Sequence, residues 1–416
     1  MKVLLTAYCC APNSGSEQAF GWWWITTCAA AHDVVVLTPA CQRDAIEAGL
    51  SDEVRRQLRF EYVRGPSRVS ASGNANRFER LHQYLWELRA IIPARRIARA
   101  WRPDVAQKVT TGTWRVPSCL AYTGTPYILG PLAGSEKPPP ALVRSFGMAW
   151  WVRERFRSAL MQLARWDPLI KRSLDRAALI LVAGSQTIAD LQQRHPDKAH
   201  TYTRAFPHPV ISMMPEHDAG SERSGPVRLC WVGRLTRSKG LGLLLEAMTD
   251  PRLQHYALDV FGDGPDRAKY TETVQRSGLD GRVTFWGHVP QATIWAHIRE
   301  CDAFVFTSLY DLMGQALSEA MQIGAACVVL DWSGPTLLLG ESGGLKVPVS
   351  DYGGTVAALA SELARLSTER GLIAKLQQAA SDRISELMHV LTSADARNGV
   401  FESARRGAAP QFPAGR

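Results

Sequence analysis

Apolar residues along this chain fall into short continuous runs separated by stretches of helical spacing. "KVLLTAYC" near the N-terminus, "DVVVLTP" from Asp33, "DVAQKVT" from Asp104, "PYILGPL" from Pro126 and "ALILVAGS" from Ala178 read as strands buried on both faces. "EQAFGWWWITTCAAA" (Glu17–Ala31) and "QTIADLQQRH" (Gln186–His195) read as helices between them, with Ser185 as N-cap of the second. Strand-like and helix-like runs that alternate in this way predict an α/β fold with parallel sheets.

The pattern stops once and then restarts. Residues 207–226, "PHPVISMMPEHDAGSERSGP", are rich in Pro, Gly and Ser and read as a linker. Beyond it come "VRLCWVGRL", "YALDVFGDG", "RVTFWGHV", "CDAFVFTS", "AACVVLDWSG" and "GLKVPV", with helical segments such as "LGLLLEAM" and "TIWAHIREC" between them. The expected architecture is two doubly wound halves facing a central cleft, with the carboxyl ends of both sheets towards it. Domains are drawn at 1–206 and 227–380, followed by a helical segment at 381–403 and a disordered tail at 404–416. At 416 residues a two-domain chain is also what length alone predicts.

Composition narrows the class. Apolar residues make up 46% and charged residues 21%, as in soluble globular proteins. The longest apolar candidate, "AFGWWWITTCAAA" (Ala19–Ala31), is shorter than the ~18–20 residues that a membrane-spanning helix needs. The N-terminus reads as a first strand and not as a signal peptide. Eight scattered cysteines without C-x-x-C or zinc spacing read as reduced, mostly buried thiols of a cytoplasmic protein.

Charge is distributed unevenly. Residues 1–215 carry 28 Lys and Arg against 16 Asp and Glu, while residues 216–416 carry 20 against 23. The basic excess concentrates among aromatics in Arg77–Trp101 and in Trp150–Trp166. Such stretches suit an anionic membrane surface, so peripheral contact with the inner face of the plasma membrane is an expectation. Solvated faces of core helices would carry the same residues. No nucleic-acid-binding motif frames the basic half, so nucleic acid is not an expected partner.

Two constellations carry candidate chemistry. "VGRLTRSKG" (Val232–Gly240) sets Gly233, Arg234 and Lys239 at a strand end, where a glycine and two cations suit a diphosphate. A solvated basic turn would look the same. "DLMGQALSEAM" (Asp311–Met321) sets Asp311 and Glu319 around Met313, Gly314 and Gln315 at a helix start. Amides near Gly314 would face a ligand with the helix dipole behind them. Glu319, on the border of the apolar face, would accept two hydroxyl hydrogen bonds from a sugar or ribose, or else lie solvated. "GDGPD" (Gly262–Asp266) and "WSGP" (Trp332–Pro335) are turns at strand ends, and "PNSGSEQ" brings Gly15 to the end of the first strand. G-x-G-x-x-G, a Walker loop and H-E-x-x-H are all missing from the sequence. No Asp-x-Asp is present either, and no metal site is expected; protein cations and amides would have to stabilise a leaving diphosphate.

In this order the pieces resemble the family-4 retaining glycosyltransferases of GT-B fold. "VGRLTRSKG", "VFGDGP", "VTFWGHVP", "CDAFVFTS", the D-L-M-G-x-x-x-x-E-A-M-x-x-G run and "SGP…SGGLKVPV" carry the likeness over about Val227–Val349. "CAPNSGSEQAFGWWW", "KVTTGTWRVPS" and "ILGPLAGSEKPP" extend it to the first half. The resemblance implies an acceptor-binding N-terminal domain and a C-terminal domain that binds a nucleotide diphosphate sugar as donor, with no permanently bound cofactor. It implies that Arg234 and Lys239 neutralise the donor diphosphate and that Glu319 binds the ribose. Asp311, in place of the family's usual Glu, lies near the donor sugar, which makes Arg234, Lys239 and Asp311 the catalytic set. The amides of Met313, Gly314 and Gln315 meet sugar and phosphate, Gly15, Gly233 and Gly262 line the nucleotide, and Gln107 and Lys108 replace a donor-contacting His. The implied function is retaining transfer of a UDP- or GDP-sugar to a saccharide or lipid-linked acceptor in surface polysaccharide or glycolipid synthesis. A nucleotide-sugar epimerase of the same fold and a non-catalytic nucleotide-sugar-binding subunit are the alternatives.

Overall fold

The computed structural model describes residues 1–12, 17–51, 55–65, 79–201, 226–311, 314–392 and 394–407. It divides into two compact units. One comprises Met1–Ser135, Arg157–Thr203 and Val390–Arg416, and the other Glu136–Phe156 and Arg204–His389. The sequence reading drew a single boundary at 207–226; all of that stretch but Pro226 lies outside the described residues. At the C-terminus the helices Leu372–Thr392 and Ala394–Arg406 follow one another. The second runs three residues past position 403 into the stretch read as a tail, and residues 408–416 lie outside the description.

The first unit holds a seven-stranded parallel sheet. Its strands are β1 (Lys2–Thr6), β2 (Asp33–Pro39), β3 (Leu58–Val63), β4 (Val105–Lys108), β5 (Tyr127–Leu132), β6 (Leu179–Val182) and β7 (Ala199–Thr201). They lie in the order β3-β2-β1-β4-β5-β6-β7. Five match the apolar runs of the sequence. The two that were not anticipated are the edge strands: β3, "LRFEYV", alternates apolar with charged residues, and β7 is only three residues long. Edge strands need to be apolar on fewer sides, so their signal is weaker. Ser185 is not an N-cap. Gly184 takes that place and Ser185 begins the helix Ser185–Arg194, with no side-chain capping bond.

The second unit holds a six-stranded parallel sheet: β8 (Val227–Val232), β9 (Tyr256–Phe261), β10 (Val283–Gly287), β11 (Ala303–Phe306), β12 (Cys327–Leu330) and β13 (Leu345–Val347). The order is β10-β9-β8-β11-β12-β13. Side chains alternate between two cores. Leu229, Trp231, Ala303, Val305, Val328 and Leu330 enter one; Cys230, Phe304, Phe306, Cys327 and Val329 enter the other. Burial on both faces is why these strands read as continuous apolar runs. The strand order reverses between β8 and β11, so the connections leaving their carboxyl ends run to opposite sides and open a crevice between them. The stretches Gly233–Gly240 and Thr307–Gly314 leave these two strand ends.

All eight cysteines are free thiols, and seven are buried. Burial pushes the Cys10 and Cys28 thiols up to about 12. Among the described residues no helix is long and apolar enough to cross a membrane.

Candidate functional site

The loop after β8 is braced by its neighbours. Gly233 N donates to Phe261 O (3.0 Å), Leu235 N to Asp263 O (3.0 Å), and Asp266 N to Leu235 O (3.1 Å). Gly262 is at φ +114°, and a Cβ there would meet Gly233 O at 2.2 Å. The requirement for glycine at 262 is therefore the approach of one loop to the next. Of the three cations in "VGRLTRSKG", Arg237 is used internally: its Nη1 donates to Phe146 O at 2.5 Å and its backbone N to Asp266 Oδ2 at 2.8 Å. Arg234 is exposed, and among the described residues its guanidinium has no ion-pair partner.

Lys239 is anchored to the end of β11. Thr307 Oγ1 donates to Lys239 O (2.9 Å) and itself accepts from Trp231 Nε1 (3.0 Å). Leu309 N donates to Ser238 O (2.9 Å). These bonds stitch the two loops at the switch point together and carry the Lys239 ammonium to the Asp311 carboxylate, with which it forms an ion pair. The side chains retain 30% and 21% of their exposure, so the pair is half-buried and reachable from one side. The turn after β12 also reaches this point. Ser333 sits at φ +67°, a strained conformation for a residue with a side chain, and its Oγ donates to Asp311 O at 3.4 Å.

Gly314 is the N-cap of the helix Gln315–Ile323 at φ +61°, a left-handed conformation that puts glycine there. A Cβ would press on the Phe306 ring at 3.2 Å. The first amide of the ladder is Ser318 N, donating to Gly314 O (2.9 Å). The amides of Gln315, Ala316 and Leu317 are thus the open first turn, aligned with the positive end of the helix dipole.

Glu319, for which the sequence left a solvated carboxylate open, is not solvated. It is 7% exposed and held by three donors. Gln291 Nε2 (3.1 Å) and Gln315 Nε2 (3.0 Å) reach Oε1, and Trp295 Nε1 (3.0 Å) reaches Oε2. A carboxylate offers about four lone-pair positions, so one remains, on Oε2. The sequence reading gave Glu319 two hydroxyl partners; this geometry leaves room for one. Gln291 and Trp295 stand on the helix Gln291–Glu300 and were not singled out from the sequence, where nothing local ties them to Glu319.

The structure therefore gathers Gly233, Arg234, Lys239, Gly262, Asp311, Gly314, Gln315 and Glu319 in and beside the connections from the carboxyl ends of β8, β9 and β11. Gly15 and Met313 lie outside the described residues. Gln107 and Lys108 are core residues of the first unit. Gln107 Nε2 donates to Gly130 O (2.9 Å) and Oε1 accepts from Trp24 Nε1 (3.1 Å). Lys108 pairs with Glu87 at 3.1 Å, each 3% exposed or less. Among the described residues no cluster of His, Cys, Asp and Glu could hold a metal ion.

Comparison with known proteins bears on this crevice. Residues 226–369 match the family model of "Glycosyl transferases group 1". The 2-deoxystreptamine N-acetyl-D-glucosaminyltransferase of Streptomyces fradiae is 24% identical over 310 residues, 70% of this chain and 65% of that protein. The amylovoran biosynthesis glycosyltransferase AmsK of Erwinia amylovora is 32% identical over 151 residues, 34% of this chain and 36% of its own length. Each alignment spans less than two thirds of the relative. Among solved structures, sucrose-phosphate synthase from Thermosynechococcus elongatus superposes with TM-score 0.63 at 15% identity, over 97% of this chain and 99% of that one. HepE from Anabaena, in complex with UDP and glucose, gives TM-score 0.57 at 14% identity over 97% and 100%. At such identities the structural likeness establishes the fold, and the fold is GT-B. The stretch that matches the family model, about a third of the chain, contains every site residue described in the second unit, and it is there that the chain is similar to the group 1 glycosyltransferases.

Proposed function

We propose that the chain is a retaining glycosyltransferase that moves a sugar from a UDP- or GDP-sugar to a saccharide or lipid-linked acceptor in surface polysaccharide or glycolipid synthesis. The observation that carries this reading is the meeting of Lys239, Asp311 and the open helix turn after Gly314 at one switch point, with Arg234 exposed beside them. The names of several relatives point the same way, including a lipopolysaccharide core glycosyltransferase of Rhizobium meliloti.

In this reading the donor diphosphate takes the first-turn amides and the Lys239 ammonium, with Arg234 as the second cation. As the bond between the anomeric carbon and the phosphate oxygen breaks, its electron pair goes to the diphosphate. The fixed cations and amides stabilise the charge that grows there. The acceptor hydroxyl attacks the same face of the oxocarbenium-like sugar and gives its proton to the departing diphosphate oxygen, so the anomeric configuration is kept without an enzyme nucleophile. Glu319 takes one ribose hydroxyl on its remaining acceptor position. Asp311, held by Lys239, lies towards the sugar, and protein cations take the part that a divalent metal plays elsewhere.

Incubation with a panel of nucleotide sugars and saccharide acceptors tests this. Release of nucleoside diphosphate with a product of unchanged anomeric configuration, persisting in EDTA, supports it. Binding without release would favour a nucleotide-sugar-binding subunit, and an epimerised donor sugar without acceptor would favour an epimerase.

A further inference from the structure

The helix Met148–Ala164 is amphipathic in the inverted sense. Surface helices ordinarily bury their apolar stripe. Here Trp150, Glu154 and Met161 share one side and are buried, while Met148, Val152, Phe156, Leu160 and Leu163 share the other and are exposed. At ~100° per residue these five side chains fall within an arc of roughly 120°. Phe156 and Leu163 keep 65% and 66% of their exposure, and Trp166, just past the helix end, keeps 85%.

The stripe has basic borders. Arg155 stands on one flank, stacked on the Trp151 ring at 5.5 Å, and Arg153 on the other with its side chain 62% exposed. The helix has one acid, Glu154, and it is buried. A second apolar stripe begins beside its end. Leu81, Leu85 and Ile92 are exposed along one line of the helix Glu79–Trp101, which continues into Arg96 and Arg99. Tyr84 Oη of that helix donates to Asp167 Oδ2 at 2.7 Å, next to Trp166.

We propose that this face seats the protein on an anionic lipid surface, with the apolar stripe in the acyl boundary and Arg153 and Arg155 at the headgroups. An outward apolar face rimmed by Arg, with a Trp at its end, is the composition of an interfacial helix. The rim also argues against a second copy as occupant: an isologous contact along this stripe would set Arg against Arg. The proposal is independent of the transferase reading, because seating needs no turnover.

Vesicle flotation with phosphatidylcholine, alone and mixed with phosphatidylglycerol, tests it on the full chain. The wild type should float with the mixed vesicles and far less with the neutral ones, and salt should weaken the association. F156Q/L163Q should lower partitioning at least ~10-fold by removing apolar contact. R153Q/R155Q should lower it about 10-fold on mixed vesicles and leave the neutral ones unchanged. These positions are exposed, so thermal unfolding should be unaltered and serves as the folding control. A wild type that does not float, or folded variants that float as well as wild type, overturns the proposal. So does a wild-type dimer in sedimentation that F156Q/L163Q makes monomeric, which would assign the face to a second copy.

Discussion

The ammonium of Lys239 and the carboxylate of Asp311 form an ion pair that joins two loops 72 residues apart at the strand-order reversal of the second sheet. The pair gives the two residues opposite expected behaviour. Lys239→Ala removes the cation that meets the growing diphosphate charge, and turnover should fall by ~10²–10³ with the fold intact. Asp311→Asn removes the internal competitor for that cation. Nucleoside diphosphate should then bind as tightly as to wild type or about two- to five-fold tighter, the range expected from a half-exposed pair, while transfer falls. Calorimetric titration beside a transfer assay measures both. Equal losses of nucleoside diphosphate binding in the two variants would remove the diphosphate role from Lys239.

Glu319 should be both a binding and a stability residue, because its buried carboxylate accepts from three donors, Gln291 exposed and Gln315 and Trp295 half-buried. Glu319→Ala removes three bonds to donors that water can partly reach and should cost about 1–2 kcal/mol in urea unfolding as well as weakening nucleoside diphosphate. Trp295→Phe should be milder: Oε1 keeps both of its donors, and only the bond to Oε2 is lost. A Glu319→Ala chain as stable as wild type would mean that these hydrogen bonds contribute nothing net.

How much of this site is legible in the sequence depends on the range of the interaction. Gly233, Lys239, Asp311 and Gly314 stand at strand ends that apolar runs announce, since β8 and β11 are buried on both faces. Two of the three partners of Glu319, Trp295 and Gln291, come from a helix 24 and 28 residues earlier, and no periodicity links them to it; Gln315, four residues before it on its own helix, is the local one. Lys108 illustrates the converse. Standing with Gln107 where the resembled family carries a donor-contacting His, it is turned into the core by Glu87, 21 residues before it and on another element. Edge strands fade for a different reason. Arg59 and Glu61 in β3 break the apolar run because the edge of a sheet tolerates them.

The thiols give a simple check on the packing of both units. Cys41 is exposed, and the other seven are buried, with Cys10 and Cys28 pushed up to about 12. The native protein should therefore react with a thiol reagent once per chain at a rapid rate, and seven further times only on unfolding. Cys41→Ser should abolish the rapid phase without changing the slow one. Several rapid equivalents in the native protein would mean that one of the two cores opens readily.

The strongest test of the first unit is the pair Lys108–Glu87. Both side chains are almost fully enclosed, and both find further partners: Lys108 Nζ donates to Pro117 O (2.9 Å) and Val116 O (3.3 Å), and Glu87 Oε2 accepts from Cys119 N (2.9 Å). Removing one member leaves an uncompensated buried charge, whereas replacing both removes the desolvation problem with the attraction. Lys108→Met should accordingly destabilise by about 3–5 kcal/mol in chemical denaturation. Adding Glu87→Gln should recover much of that loss, since Gln keeps an acceptor for Cys119 N and carries no charge. The nucleotide binding proposed for the second unit should be unchanged in both variants if Lys108 serves the core alone. A Lys108→Met chain of normal stability but impaired transfer would instead give Lys108 a part in the chemistry served by the His that it and Gln107 replace.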